Sequence, residues 1–133
     1  MLLRWTPLLF LVPGRFVQTD AFWRTVVLDQ LDHEWTRDGW RGLKDTVSDP
    51  YTTLLDGRGD CEDYAVLAAS ARRASGAAVA LAFCWQDRPW PTHVVASDGD
   101  RVYSSGRIHE QSLEDWLADS RYRFAAVRPV SKA

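Results

Sequence analysis

The hydrophobic positions change period along the chain. Phe22, Trp23, Val26, Val27, Leu28, Leu31 and Trp35 fall close to helical spacing. Thr19 or Asp20 is placed to cap that run, so the spacing predicts a helix from Ala21 to about His33. Gly39, Gly42 and Pro50 break the region that follows. Thr52 to Leu55 then reads as a short turn of helix leading to Gly57. Strong helix formers fill Cys61 to Ser75, and Gly76 suits the position just past a helix end. Beyond it the period becomes extended. Ala78 to Trp85 is an apolar run of strand length. Thr92 to Ser97 and Arg101 to Ser105 read as two further strands. Between them Asp98-Gly99 suits a type I′ hairpin turn. Ser112 can cap a short helix over Leu113 to Ala118, and Arg123 to Val130 alternates as a last strand. Helices followed by mainly antiparallel strands predict an α+β domain, with the Cys61 helix packed on a small sheet.

Composition narrows the function classes. With 133 residues, 46% hydrophobic and 26% charged, the expectation is one globular domain over residues 1–133. The net charge of −2 offers no basic field for nucleic acid. Residues 1–20 form a leading apolar segment. Its stretch from Pro7 to Pro13 imitates a signal peptide, but it is brief, bracketed by prolines and lacks a small-x-small cleavage site. It is too short to span a bilayer. It is expected to pack on the domain or on a protein partner, together with some of the seven tryptophans. No membrane association is expected, and a signal or anchoring role is the alternative. Cys61 and Cys84 form no Cys-x-x-Cys pair, so both are expected reduced, in a cytoplasmic setting.

The chemistry concentrates in Asp56-Gly57-Arg58-Gly59-Asp60-Cys61-Glu62-Asp63. Two glycines turn the backbone, Asp60 suits an N-cap, and Asp63 suits its capping-box partner. Cys61 is then the first helical residue, where the helix dipole and unpaired N–H groups favour a thiolate. That is an arrangement for nucleophilic attack, set against an inert buried cysteine. A thiolate wants a base. Of His33, His93 and His109, His93 has the best context, at the start of a strand after a Pro-Trp-rich loop. His33 reads as an ordinary residue near a helix end, and His109 as a solvated loop residue.

The run Gly57 to Ala65, followed by Thr92-His93-Val94-Val95, resembles the transglutaminase-like cysteine-enzyme superfamily. It is most similar to small bacterial and archaeal members with a Gly-x-Gly-Asp-Cys-Glu-Asp nucleophile motif. The resemblance spans Pro50 to Ser105. It implies a papain-like arrangement with Cys61 as nucleophile and His93 as general base and acid, facing each other. In a two-residue hairpin Ser97 faces Asp100, and His93 faces Ser104. Ser104 therefore stands where the family carries Asp or Asn, a departure that weakens support for an imidazolium. Asp98 and Asp100 read as turn chemistry. The Cys61 N–H would contribute to an oxyanion hole, and Trp35, Trp40 or Tyr51 could add a donor or wall the cleft.

Two other patterns are weaker. Arg58-Gly59-Asp60 spells an adhesion tripeptide whose residues already serve the turn and cap. Cys61, Cys84 and His93 match no common zinc spacing, so no metal site is expected. Cys84, inside an apolar strand, reads as core. The leading expectation is a cysteine-dependent hydrolase or acyl-transfer enzyme acting on peptide or isopeptide amides of a peptide or protein substrate, with no cofactor. The alternative is a weakly active or inactive module of the same fold that docks on a larger assembly.

Overall fold

A computed structural model of the chain describes Gly14 and residues 16–36, 49–86 and 93–130. Among the described residues, three helices and a five-stranded antiparallel sheet form the body. The leading segment before Gly14, Trp40, and the Pro-Trp loop ahead of His93 lie outside the described residues.

The predicted helix over Ala21 to His33 is replaced by two 3₁₀ turns, Ala21–Thr25 and Leu28–Gln30. Asp20 does cap the first, accepting from the Phe22 N–H at 2.9 Å. The β-branched run Thr25-Val26-Val27 then breaks it, with Val26 and Val27 both extended. Each turn delivers one large side chain to the core, Trp23 and Leu28. The chain continues into β1 (Glu34–Trp35). The expected turn at Thr52 to Leu55 is part of a longer helix, α1 (Pro50–Asp56), with Asp49 as N-cap and Pro50 at the first position. Gly57 closes it in the left-handed conformation, φ 68°. β2 (Arg58–Gly59) pairs in parallel with β1, Trp35 lying beside Gly59. The Cys61 helix, α2 (Cys61–Ala74), follows at once.

The main sheet comprises β3 (Val79–Trp85), β4 (His93–Ser97), β5 (Val102–Ser104), β6 (Arg107–His109) and β7 (Phe124–Val130). Its order is β6-β5-β4-β3-β7. The short helix α3 (Leu113–Asp119), capped by Ser112, lies between β6 and β7 in sequence, so this connection crosses from one edge to the other. Alternation along the strands makes two faces. Leu81, Phe83, Val94, Ala96 and Tyr103 join Tyr64, Leu67 and Ala68 of α2 in one core. Ala82, Cys84, Val95 and Val102 join Trp116 of α3 in a second core on the opposite face. Among the described residues, no helix is long and apolar enough to cross a membrane.

The β4–β5 hairpin departs from the expected register. Ala96 pairs with Tyr103 and Ser97 with Val102, two residues further along than a two-residue turn would give. The Asp98 carboxylate explains the longer turn. Its Oδ1 accepts from the N–H groups of Asp100 and Arg101, and Oδ2 from the Tyr103 hydroxyl at 2.8 Å and Arg72 Nε at 3.0 Å. A shift of two preserves the faces, so Ser104 still lies on the side of His93. The next turn is tighter. Ser105 and Gly106 both have positive φ, a type I′ pattern, and return the chain into β6. His109 therefore ends a strand, 6.2 Å ring to ring from Trp116, and is not a solvated loop residue.

Candidate active site

Cys61 occupies the first position of α2, and local chemistry holds it there. Asp60 Oδ1 accepts from the Asp63 N–H at 3.0 Å, and Asp63 Oδ2 accepts from the Asp60 N–H at 3.1 Å. This is a reciprocal capping box with aspartate in both roles. Gly59 is required by contact. A Cβ there would come within 2.7 Å of the Asp63 carboxylate. Asp60 is buried, so the Arg-Gly-Asp tripeptide presents no free carboxylate to a receptor. The half-buried Cys61 packs against the core beneath α2, at the positive end of the helix.

His93 begins β4 on the other face. Its strand partner is Cys84, and its ring stacks on Tyr122 at 5.2 Å and 10° and lies 6.2 Å from Trp116. His93 Nε2 is 2.9 Å from Ser104 Oγ. Burial pushes its pKa down to about 4, with Arg121 adding to the shift, so the ring is neutral at pH 7. The structure thus brings His93 and Ser104 together, and it puts α2 with Cys61 across the sheet from them. The expected face-to-face thiol and imidazole are not what the alternation produces: Val94, not His93, points under α2. The set Cys61, Cys84 and His93 is divided in the same way. Neither cysteine is in a disulfide, and burial pushes Cys84 up to about 12, an inert group.

The cleft candidates separate as well. Trp35 is 53% exposed on β1, beside the Gly59 that leads into α2. Tyr51 belongs to the scaffold. Its hydroxyl donates to Asp20 Oδ2 at 2.8 Å, and its ring lies 4.9 Å from Trp23 and 5.1 Å from Phe22.

His33, read as an ordinary helix-end residue, sits against the Cys61 helix. Its ring is 4.9 Å from that of Tyr64, one turn on from Cys61, and its Nε2 is 3.3 Å from the Gly59 carbonyl. The pairing of β1 with β2 carries it there, and a two-residue parallel bridge leaves no pattern in the sequence.

With this geometry in place, comparison with known proteins fixes the family. A sequence model described as the transglutaminase-like superfamily matches residues 27–123, from the second 3₁₀ turn through α3. No curated protein and no solved structure matches the chain. The matched span covers well over half of the chain, which belongs to the transglutaminase-like superfamily.

Proposed function

We propose that the chain is a cysteine-dependent hydrolase or acyl-transfer enzyme acting on peptide or isopeptide amide bonds, with Cys61 as its nucleophile. The observation that carries this reading is Cys61 at the first position of α2, locked by the Asp60–Asp63 cap, in a chain of this superfamily. Cys61 Sγ would attack the amide carbonyl. The carbon–nitrogen bond would break, the amine would leave with a proton, and a thioester would remain. The Cys61 N–H at the helix start is suited to the developing oxyanion. Water is the default acceptor that frees the acid, so hydrolysis is favoured over cross-linking. Trp35, exposed beside the turn, is suited to wall the cleft.

The chemistry also requires a base for the thiol proton. The sequence motif assigns this to His93, with Ser104 orienting the ring in a papain-like manner. The position of His93 across the sheet counts against that pairing and favours a second reading, a weakly active or inactive module that docks on a larger assembly. Alkylation of Cys61 separates the two. An activated thiolate reacts with iodoacetamide well below pH 8. Reaction no faster than that of a free thiol would leave only the module.

A further inference from the structure

Three arginines from three separate elements line one cavity. Arg24 belongs to the first 3₁₀ turn, Arg72 to the last turn of α2, and Arg101 leads into β5. The cavity between them measures about 290 Å³. Small-molecule sites begin at about 300 Å³, so the size is that of a small ligand. Val26, Val27 and Leu28 give it an apolar side. Cys61 is not in the lining; at about 1.5 Å per residue, Arg72 lies about 16 Å along α2 from it.

A cation near a helix C-terminus is ordinary, and Arg72 and Arg73 suit that end of α2. Such roles occupy only one edge of each side chain here. Arg24 Nε donates to the Ala74 carbonyl at 3.0 Å, Arg72 Nε to Asp98 Oδ2 at 3.0 Å, and Arg101 Nε to Glu110 at 3.1 Å. A guanidinium carries further donors on its two Nη atoms. Those of Arg24 and Arg72 have no protein partner among the described residues, and Arg24 has no carboxylate partner there. Arg101 Nη1 meets Asp29 Oδ1 at 3.3 Å. Asp29 lines the cavity too, but its side chain is 60% exposed, and a pair of that kind contributes little. The helix-end carbonyls that would repel an anion are engaged. Those of Ala71, Arg72 and Arg73 accept from the N–H groups of Ser75, Gly76 and Ala77, and that of Ala74 accepts from Arg24.

We propose that this cavity binds a phosphate monoester, with the phosphate among the three guanidinium groups and the organic part along Val26, Val27 and Leu28. The donor set selects the head group. A carboxylate offers two coplanar oxygens, which a single guanidinium fork satisfies. The three terminal oxygens of a phosphate ester take donors from three directions, as three arginines on separate elements supply them. The cavity also holds more than a bare phosphate. Asp29 yields Arg101 to the ligand and turns to solvent, so it acts as a brake on affinity. The site is independent of the thiol chemistry at Cys61, and neither reading falls with the other.

Isothermal titration calorimetry on the full chain tests this with three probes. They are phenyl phosphate, benzoate, which carries the same ring on a carboxylate, and inorganic phosphate. Phenyl phosphate should bind at one site, at least about tenfold tighter than either of the others. Arg24→Gln should weaken it by about tenfold. Asp29→Asn, an exposed change that leaves the core alone, should tighten it severalfold. Arg107→Gln removes the same charge from β6, outside the lining, and should leave the affinity unchanged. Circular dichroism checks each fold. No saturable binding of phenyl phosphate below about 10 mM would overturn the site. So would an Asp29→Asn chain that binds no tighter, or an Arg24→Gln chain that loses no more than Arg107→Gln, since binding would then follow overall charge. Benzoate or inorganic phosphate binding as tightly as phenyl phosphate would overturn the monoester as its ligand.

Discussion

Cys84 and His93 stand directly opposite each other on β3 and β4, on the sheet face that α2 does not cover. Each is held neutral at pH 7 by its burial there, the thiol well above neutrality and the imidazole well below it. The layer under α3 thus contains a titratable base that the folded state prefers uncharged.

That preference gives an acid-sensitive term. The unfolded ring binds a proton near pH 6.5, and the folded ring only near pH 4. Stability contributed by the neutral ring is present above 6.5 and is lost as pH falls from 6.5 to 4. The loss reaches up to about 3 kcal/mol. Urea midpoints at pH 7.5 and 4.5 should fall further for the unaltered chain than for His93→Phe. An equal fall in both would contradict the assignment.

Replacing Ser104 with aspartate places a carboxylate where the hydroxyl now meets His93 Nε2 at 2.9 Å. An anion at that distance should raise the His93 pKa by at least about one unit. A ring-proton NMR titration reads this directly. A smaller acid loss in the urea experiment should accompany it, because the folded and unfolded pKa values come closer.

Asp98 is a joint between α2, the hairpin and β5. Its side chain is 6% exposed and carries the Arg72 ion pair and the hydroxyl of the buried Tyr103. Asp98→Ala should cost about 2–4 kcal/mol, much of it from the stranded Tyr103 hydroxyl. Tyr103→Phe in the same chain should recover part of that loss. Denaturant unfolding of the two single variants and the double variant checks the coupling; strict additivity would mean that the hydroxyl bond contributes nothing.

Two glycines with similar backbones offer a controlled comparison. Gly99 has φ 98° with nothing within 4 Å of an added Cβ, whereas Gly106 has φ 88° with His33 in the way. Gly99→Ala should cost about 1 kcal/mol, the backbone term alone. Gly106→Ala should cost at least about 2 kcal/mol, because a backbone carbonyl must move as well. Similar thermal shifts for the two would mean that the turn is free to yield.

The parts legible in the sequence are those written locally. Asp60, Asp63 and Gly76 bracket α2 within one stretch of chain, and the extended runs behind it needed only period and composition. The first helix failed because Thr25, Val26 and Val27 interrupt an otherwise helical stripe. The hairpin register failed because one carboxylate, Asp98, lengthened the turn. Alternation correctly grouped His93 with Ser104. It could not say which face α2 would cover, since Val94-Val95-Ala96 is apolar on both. The position of His33 depends on a two-residue bridge between segments far apart in sequence, and only the folded chain reveals it.

β3 is buried on both faces and reads Val-Ala-Leu-Ala-Phe-Cys-Trp. One of its edges is covered by the neighbouring β4, but the other is closed only by β7, some forty residues later. During synthesis that edge is open until Phe124–Val130 has emerged. An uncharged seven-residue strand with an open edge is a template for pairing with other chains. The order of synthesis therefore leaves one edge of this apolar strand uncovered until the end of the sheet has emerged, and a chain ending before Phe124 should precipitate rather than persist as a loosely folded monomer.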